Sequence, residues 1–231
     1  MALRLIDLSQ EIFQGMSVFP MHQKTFIMTN MTHEENMELT GSPTLGFSAR
    51  NLLLSEHCGT HSDGVSEFKP GGTTIDKMPL EHFWGSAICI DVSHVRHPKY
   101  IEPRDLEEAV RKSGQEIQRG DIVLLFTGHH DRHYGTDKFQ TDYTGLSYEG
   151  AKWLAEQGVM NIGVDAPAID LTPEDINFSG HLVCGEYNIT NTENLCNLDK
   201  VLNKRFLYIG LPLKIKDGSG SPIRAVALVE E

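Results

Sequence analysis

Five short apolar runs, at 88–92, 122–126, 159–164, 206–213 and 225–229, are rich in β-branched residues and separated by glycine or proline. Runs of that length between turn residues predict strands. Two stretches between them carry a helical pattern instead. The segment 103–112 opens with proline at a permitted first-turn position, places acids early and bases late, and meets Gly114 at its end. The segment 146–156 sets Leu146, Ala151, Leu154 and Ala155 toward one side before Gly158 stops it. Strands alternating with helices make this an α/β chain.

Length and charge narrow the possibilities. At 231 residues the chain can bury one substantial core, and no break in composition divides it, so one domain spanning 1–231 is expected. A formal net charge of -12 argues against nucleic acid and against anionic membrane surfaces as partners. A small molecule is the natural target. The N-terminal residues lack the apolar core of a secretion signal and no run approaches transmembrane length, which points to the cytoplasm. Four cysteines, Cys58, Cys89, Cys184 and Cys196, show no paired ligand spacing and are expected to be reduced.

The densest chemistry lies in His57-Cys-Gly-Thr-His61-Ser-Asp63. Two imidazoles and a carboxylate within seven residues suit a divalent ion such as zinc or manganese, and three protein ligands leave a position open for water or substrate. Glycine and threonine make a helix unfavourable here. Gly59 lets the backbone turn, and Thr60 is placed to hydrogen-bond a backbone group or a ligand. The bland alternative is a polar strand end with two hydrogen-bonded histidines. Cys58 fits packing better than ligation, since its neighbours already supply the donors.

On this motif the chain resembles the cyclase family of metal-dependent hydrolases, which includes bacterial kynurenine formamidase, isatin hydrolase and a trans-dienelactone hydrolase. The resemblance extends through Ile6-Asp7-Leu8-Ser9, Val18-Phe19-Pro20, Pro70-Gly71-Gly72-Thr73-Thr74-Ile75-Asp76, Gly163-Val164-Asp165 and Glu193-Asn194-Leu195-Cys196-Asn197-Leu198. It implies a swivelling β/β/α fold and a homodimer or homotetramer. It also implies further ligands, a His and a Glu twelve residues apart, matched by His181 and Glu193. His57, His61, Asp63 and Glu193 would then hold one ion, and Asp63, His181 and Glu193 a second. One ion or two, zinc or manganese, both stay open.

The chain departs from the family at a telling place. The formamidase pattern continues Asp-Ala-Pro-x-His, and that last His carries protons, whereas here the run is Asp63-Gly-Val-Ser-Glu67. Glu67 is therefore the candidate acid and base, beside a simpler reading in which it only orients the metal site. His129, at the end of the 122–126 run in a loop that also holds His130 and His133, is the candidate to supply the missing imidazole. Phe19 aligns with a substrate-facing aromatic of the formamidase pattern, with core packing as its alternative. Asp165 and Asp170 are expected to brace their loop.

These residues lead to an expected function: hydrolysis of a small amide, lactam, ester or lactone by metal-activated water, with Glu67 in the proton-transfer role. The alternatives are an arylformamidase acting on N-formylkynurenine and a non-catalytic metal-dependent ligand-binding protein.

Overall fold

A computed structural model describes residues 3–171 and 174–230. One nine-stranded sheet runs through them. From edge to edge its strands are Leu3–Asp7, Val226–Glu230, Arg205–Ile209, Trp84–Asp91, Ile122–Phe126, Asn161–Val164, Thr190–Glu193, His61–Asp63 and Gly220–Pro222. The four from Trp84–Asp91 to Thr190–Glu193 are parallel, and the outer strands on both sides are antiparallel. All five apolar runs read from the sequence lie in this sheet, side by side.

Their continuous apolar character follows from burial on both faces. Ile88, Ile90, Val123, Leu125, Ile162 and Val164 point to one side, under the helices Pro103–Ser113, Tyr148–Glu156 and Ser179–Tyr187. Ala87, Cys89, Ile122 and Leu124 point to the other, against Leu8, Leu195, Leu198 and Tyr208. Each fully buried leucine or isoleucine there contributes roughly 1.5–3 kcal/mol relative to exposure.

Element ends shift from the sequence pattern for local reasons. The helix expected from Leu146 begins at Tyr148, because the Ser147 hydroxyl accepts from Gly150 N at 3.0 Å and Leu146 pairs instead with Ile101 in a short parallel ladder. The run 206–213 leaves the sheet after Ile209, where Gly210 donates its N–H to the Phe83 carbonyl. Between Ile12 and Leu53 the sequence pattern gave no element. The structure places there a separate two-stranded ladder, Phe26–Met31 with Ala49–Leu53, joined through the helix His33–Thr40. No helix among the described residues is long and apolar enough to cross a membrane.

Candidate metal centre and active site

The strand His61–Asp63 lies between Thr190–Glu193 and Gly220–Pro222, with His61 opposite Glu193 and Ser62 opposite Thr192. Alternation along strands then decides which side chains meet. His61, Asp63, Asn191 and Glu193 face one side. Ser62 and Thr192 face the other, where their hydroxyls lie 2.8 Å apart and Thr192 donates to Asn161 Oδ1 at 3.1 Å. Gly59, at φ 62°, turns the chain between the two histidines, and Thr60 donates to the distant Asn194 carbonyl at 2.6 Å. That bond ties the motif loop to the end of the Glu193 strand.

Around this face the structure gathers His57, His61, Asp63, Glu67, His181 and Glu193. His57 Nδ1 stands 2.7 Å from Asp63 Oδ1 and 3.4 Å from Glu67 Oε1. His61 Nε2 is 3.4 Å from both Asp63 Oδ1 and Glu193 Oε2. His181, from the helix Ser179–Tyr187, brings Nε2 within 3.3 Å of Glu193 Oε1 and 3.6 Å of Asp63 Oδ2. The ligand atoms of His57, His61 and Asp63 lie within 4.8 Å of one another, as do those of Asp63, His181 and Glu193.

Hydrogen bonds on the far side of two rings set which nitrogens face the cluster. His61 Nδ1 meets the Gly59 carbonyl at 2.8 Å, and a carbonyl only accepts, so Nδ1 carries a proton and Nε2 is the nitrogen turned to Asp63 and Glu193. His181 Nδ1 bonds the Asp170 carboxylate, so its Nε2 is likewise the nitrogen turned to Asp63 and Glu193. Buried carboxylates this close call for positive charge among them, from protons on these nitrogens or from a metal ion. Bonds of about 2.0–2.1 Å in a tetrahedral zinc site place ligand atoms about 3.3 Å apart, close to several of these separations. The donor set of imidazoles and carboxylates therefore fits a divalent ion.

The same field shifts the titrating groups. Burial would lower His61, yet the charges of Asp63 and Glu193 raise it to about 9. His181 is likewise raised against burial, chiefly by Asp170. Asp63 is held well below the usual carboxylate range by His61 and His57, despite burial. Burial and Asp63 would raise Glu193, but its bonds to His181 and His61 leave it lowered. Glu67 is pushed well above the usual range by burial and then by Asp63, with His181 opposing. Its Oε2 is buried without a hydrogen-bond partner among the described residues.

The cluster forms the floor of a cavity of about 340 Å3, walled by Val18, Phe19, Met21, Phe68 and Phe178. Phe19 thus stands at the cavity wall. Phe68 packs on His181, ring centres 4.0 Å apart, and on Phe178 at 5.3 Å. His129 is elsewhere, and the expectation that it reaches the site is corrected. Left-handed Gly128 turns the chain into the short helix His129–His133, and the segment 137–143 folds over the ring. There His129 is fully buried, with Nε2 2.8 Å from the Phe139 carbonyl, and burial lowers it to about 4. Beside His57, His61 and His181, the cavity is lined by a further imidazole, His22, stacked on His57 at 5.0 Å with Nδ1 3.2 Å from Ser55 Oγ. Burial and the neighbouring His57 lower its pKa.

Asn191 was also missed. Its amide donates to Asp63 Oδ2 and to Glu193 Oε1, the latter at 3.1 Å, joining the two carboxylates. Its position two residues before Glu193 on a strand was the available signal. Asp165 and Asp170 both brace loops: Asp165 accepts from Thr127 N at 2.9 Å and from the Thr127 hydroxyl at 2.5 Å, and Asp170 accepts from Gly180 N and His181.

Comparison with known proteins supplies a class and then a family. Kynurenine formamidases from Erythrobacter litoralis and Bacillus cereus are 28% and 29% identical to the chain, over 96% of its length and 93% and 95% of theirs. Isatin hydrolase A from Labrenzia aggregata superposes with a TM-score of 0.85 at 23% identity, covering 99% of this chain and 94% of that one. The corresponding enzyme from Ralstonia solanacearum gives 0.83 at 24%, covering 99% and 92%. The two solved structures share this chain's α/β fold. The Cyclase family model matches residues 6–171, and the chain belongs to this family of metal-dependent hydrolases.

Proposed function

We propose that this protein hydrolyses a small amide, lactam, ester or lactone with the help of a divalent metal, zinc or manganese. One observation carries the reading: ring nitrogens of buried imidazoles converge with Asp63 and Glu193 on the floor of an apolar-walled cavity. His57, His61, Asp63 and Glu193 would hold one ion, and Asp63, His181 and Glu193 a second. Bound there, a divalent ion polarises a carbonyl and lowers the pKa of water.

The chain's own residues supply the rest. Phe19 and Phe68 offer apolar walls to the body of the substrate and keep water from its flanks. Asn191 ties the two carboxylates together through one amide. Glu67, with a buried and unpartnered Oε2, takes the proton of the attacking water as its oxygen bonds to the carbonyl carbon. It then hands that proton to the nitrogen or oxygen whose bond to carbon breaks. Burial favours the neutral acid needed for this second half.

The test is metal analysis of the purified protein with assays on formamides, lactams and lactones before and after chelation. Stoichiometric metal with turnover that disappears on chelation and returns with metal is expected. Bound metal with no hydrolysis of any of these would favour a metal-dependent binding protein. A second reading, N-formylkynurenine hydrolysis, is favoured by the near full-length similarity to kynurenine formamidases. Installing the imidazole that Glu67 replaces, as Glu67→His, should then raise formamidase turnover. The exposed apolar side chains of the separate ladder, Phe26, Met28, Leu52 and Leu53, support association into a homodimer or homotetramer.

A further inference from the structure

The far side of His57 is held by residues that lie outside every motif quoted above. His57 Nε2 lies 2.9 Å from Ser219 Oγ, and that hydroxyl lies 2.9 Å from Glu56 Oε2. The same Glu56 oxygen accepts from Ser219 N at 2.8 Å. A carboxylate oxygen accepts, so the Ser219 hydroxyl proton goes to Glu56, and the serine oxygen is left to accept from His57. The proton of His57 is thereby committed to Nε2. Its Nδ1 is then the nitrogen turned to Asp63 Oδ1, 2.7 Å away, as Nε2 is in His61 and His181.

The segment Gly218-Ser219-Gly220 is shaped to make this contact. A Cβ at Gly220 would lie 2.5 Å from His57 Cε1, and one at Gly218 would lie 2.8 Å from Glu56 Oε1. Neither position accepts a side chain without moving the ring or the carboxylate. The strand Gly220–Pro222 pairs with the ligand strand, and Gly64 N donates to the Ser219 carbonyl at 2.7 Å, so the hydroxyl is registered against the motif by backbone bonds.

We propose that Glu56 and Ser219 are positioning residues of the metal centre, a hydrogen-bond relay that fixes the tautomer and ring orientation of His57 so that Nδ1 serves as the ligand atom. The proposal rests on the reading of this cluster as a divalent-cation site. Outer hydrogen bonds of this kind commonly govern metal affinity by roughly 10–100-fold.

Zinc affinity, measured by chelator competition, and the His57 Nε2–H resonance of the zinc-loaded protein, followed by 15N-resolved NMR, test it together. Ser219→Ala and Glu56→Leu should each weaken zinc binding by roughly 10–100-fold and make the Nε2–H signal exchange rapidly with water. Glu56→Gln, which keeps an acceptor for Ser219, should stay near wild type in both. The bond from Gly64 N to the Ser219 carbonyl survives both Ser219→Ala and Glu56→Leu, so a merely structural loop role would lower the melting temperature without moving affinity or exchange. Affinity within twofold of wild type in Ser219→Ala and Glu56→Leu, with the signal still protected, overturns the relay. A wild-type protein that takes up no zinc or manganese overturns the cation reading itself, an outcome distinguishable because it appears before any substitution is made.

Discussion

The proton-transfer role proposed for Glu67 rests on a single atom. Its Oε2 faces the cluster without a hydrogen-bond partner, and the other oxygen stands 3.4 Å from His57 Nδ1. Glu67→Gln keeps the shape and removes the proton carrier, so kcat should fall by roughly 10²–10⁴-fold while metal content stays unchanged. An equal loss of metal would instead make Glu67 a ligand, and unchanged kcat would end its proton-transfer role. Asp165 gives a separate test away from the centre. Burial raises it to about 7 against the opposing bonds from Thr127. Between pH 4 and 7 the folded protein therefore retains a proton that the unfolded chain has shed. This contribution is fully present below pH 4 and is lost as pH rises toward 7. Asp165→Asn keeps an acceptor for Thr127 and removes the titration. Its stability relative to wild type, from urea unfolding across pH 4–8, should climb by an amount on the order of 4 kcal/mol and then level off. A difference independent of pH would show that Asp165 carries no such shift.

Among the elements, the parallel strands demand close approach as well as burial. A Cβ at Gly163 would meet Leu124 Cδ2 at 2.3 Å and Leu195 Cδ1 at 2.8 Å, so Gly163→Ala should destabilise the fold by about 1–3 kcal/mol through overpacking. Denaturant midpoints check this, and an unchanged midpoint would mean that the two leucines yield freely. These strands were legible in the sequence because double burial writes an unbroken apolar run. The helix His33–Thr40 was not, since Asn36 is its one buried residue and no apolar stripe repeats. Its signal was the capping box, with Glu35 N donating to Thr32 Oγ1 at 3.2 Å and Thr32 N donating to Glu35 Oε2 at 2.8 Å. The ligands within 57–63 were legible from local spacing. His22 and Ser219 were not, because they are far from the motif in sequence and only tertiary folding brings them to it, while Glu56 and Asn191, next to motif ligands in sequence, carry no ligand pattern of their own. His129 misled because a strand end faces a site only if nothing folds over it, and the segment 137–143 does.

For the molecule as a whole, the buried carboxylates would couple folding to the binding of a metal ion at this cluster. Asp63, Glu67 and Glu193 lie within one cluster and each is nearly or wholly removed from water, so their mutual repulsion opposes folding unless a cation answers it. His61 and His181 supply positive charge by holding protons, which is why His61 titrates only near 9. A divalent ion held by these residues would take the place of those protons and would bind only the folded arrangement, since the residues come from strands at 61–63 and 190–193 and a helix at 179–187. Binding to the folded state alone stabilises it by about 2.7 kcal/mol at a hundred times the dissociation constant. For a chain of 231 residues this should raise the melting temperature by several degrees, roughly 5–10 °C. Calorimetry of chelated protein titrated with zinc or manganese should show the midpoint climbing with free metal rather than saturating at one equivalent. The climb should also be steeper at pH 8 than at pH 6, because at the lower pH protons compete for the same lone pairs. A midpoint indifferent to metal at both pH values would mean that the cluster is held together by its protons alone.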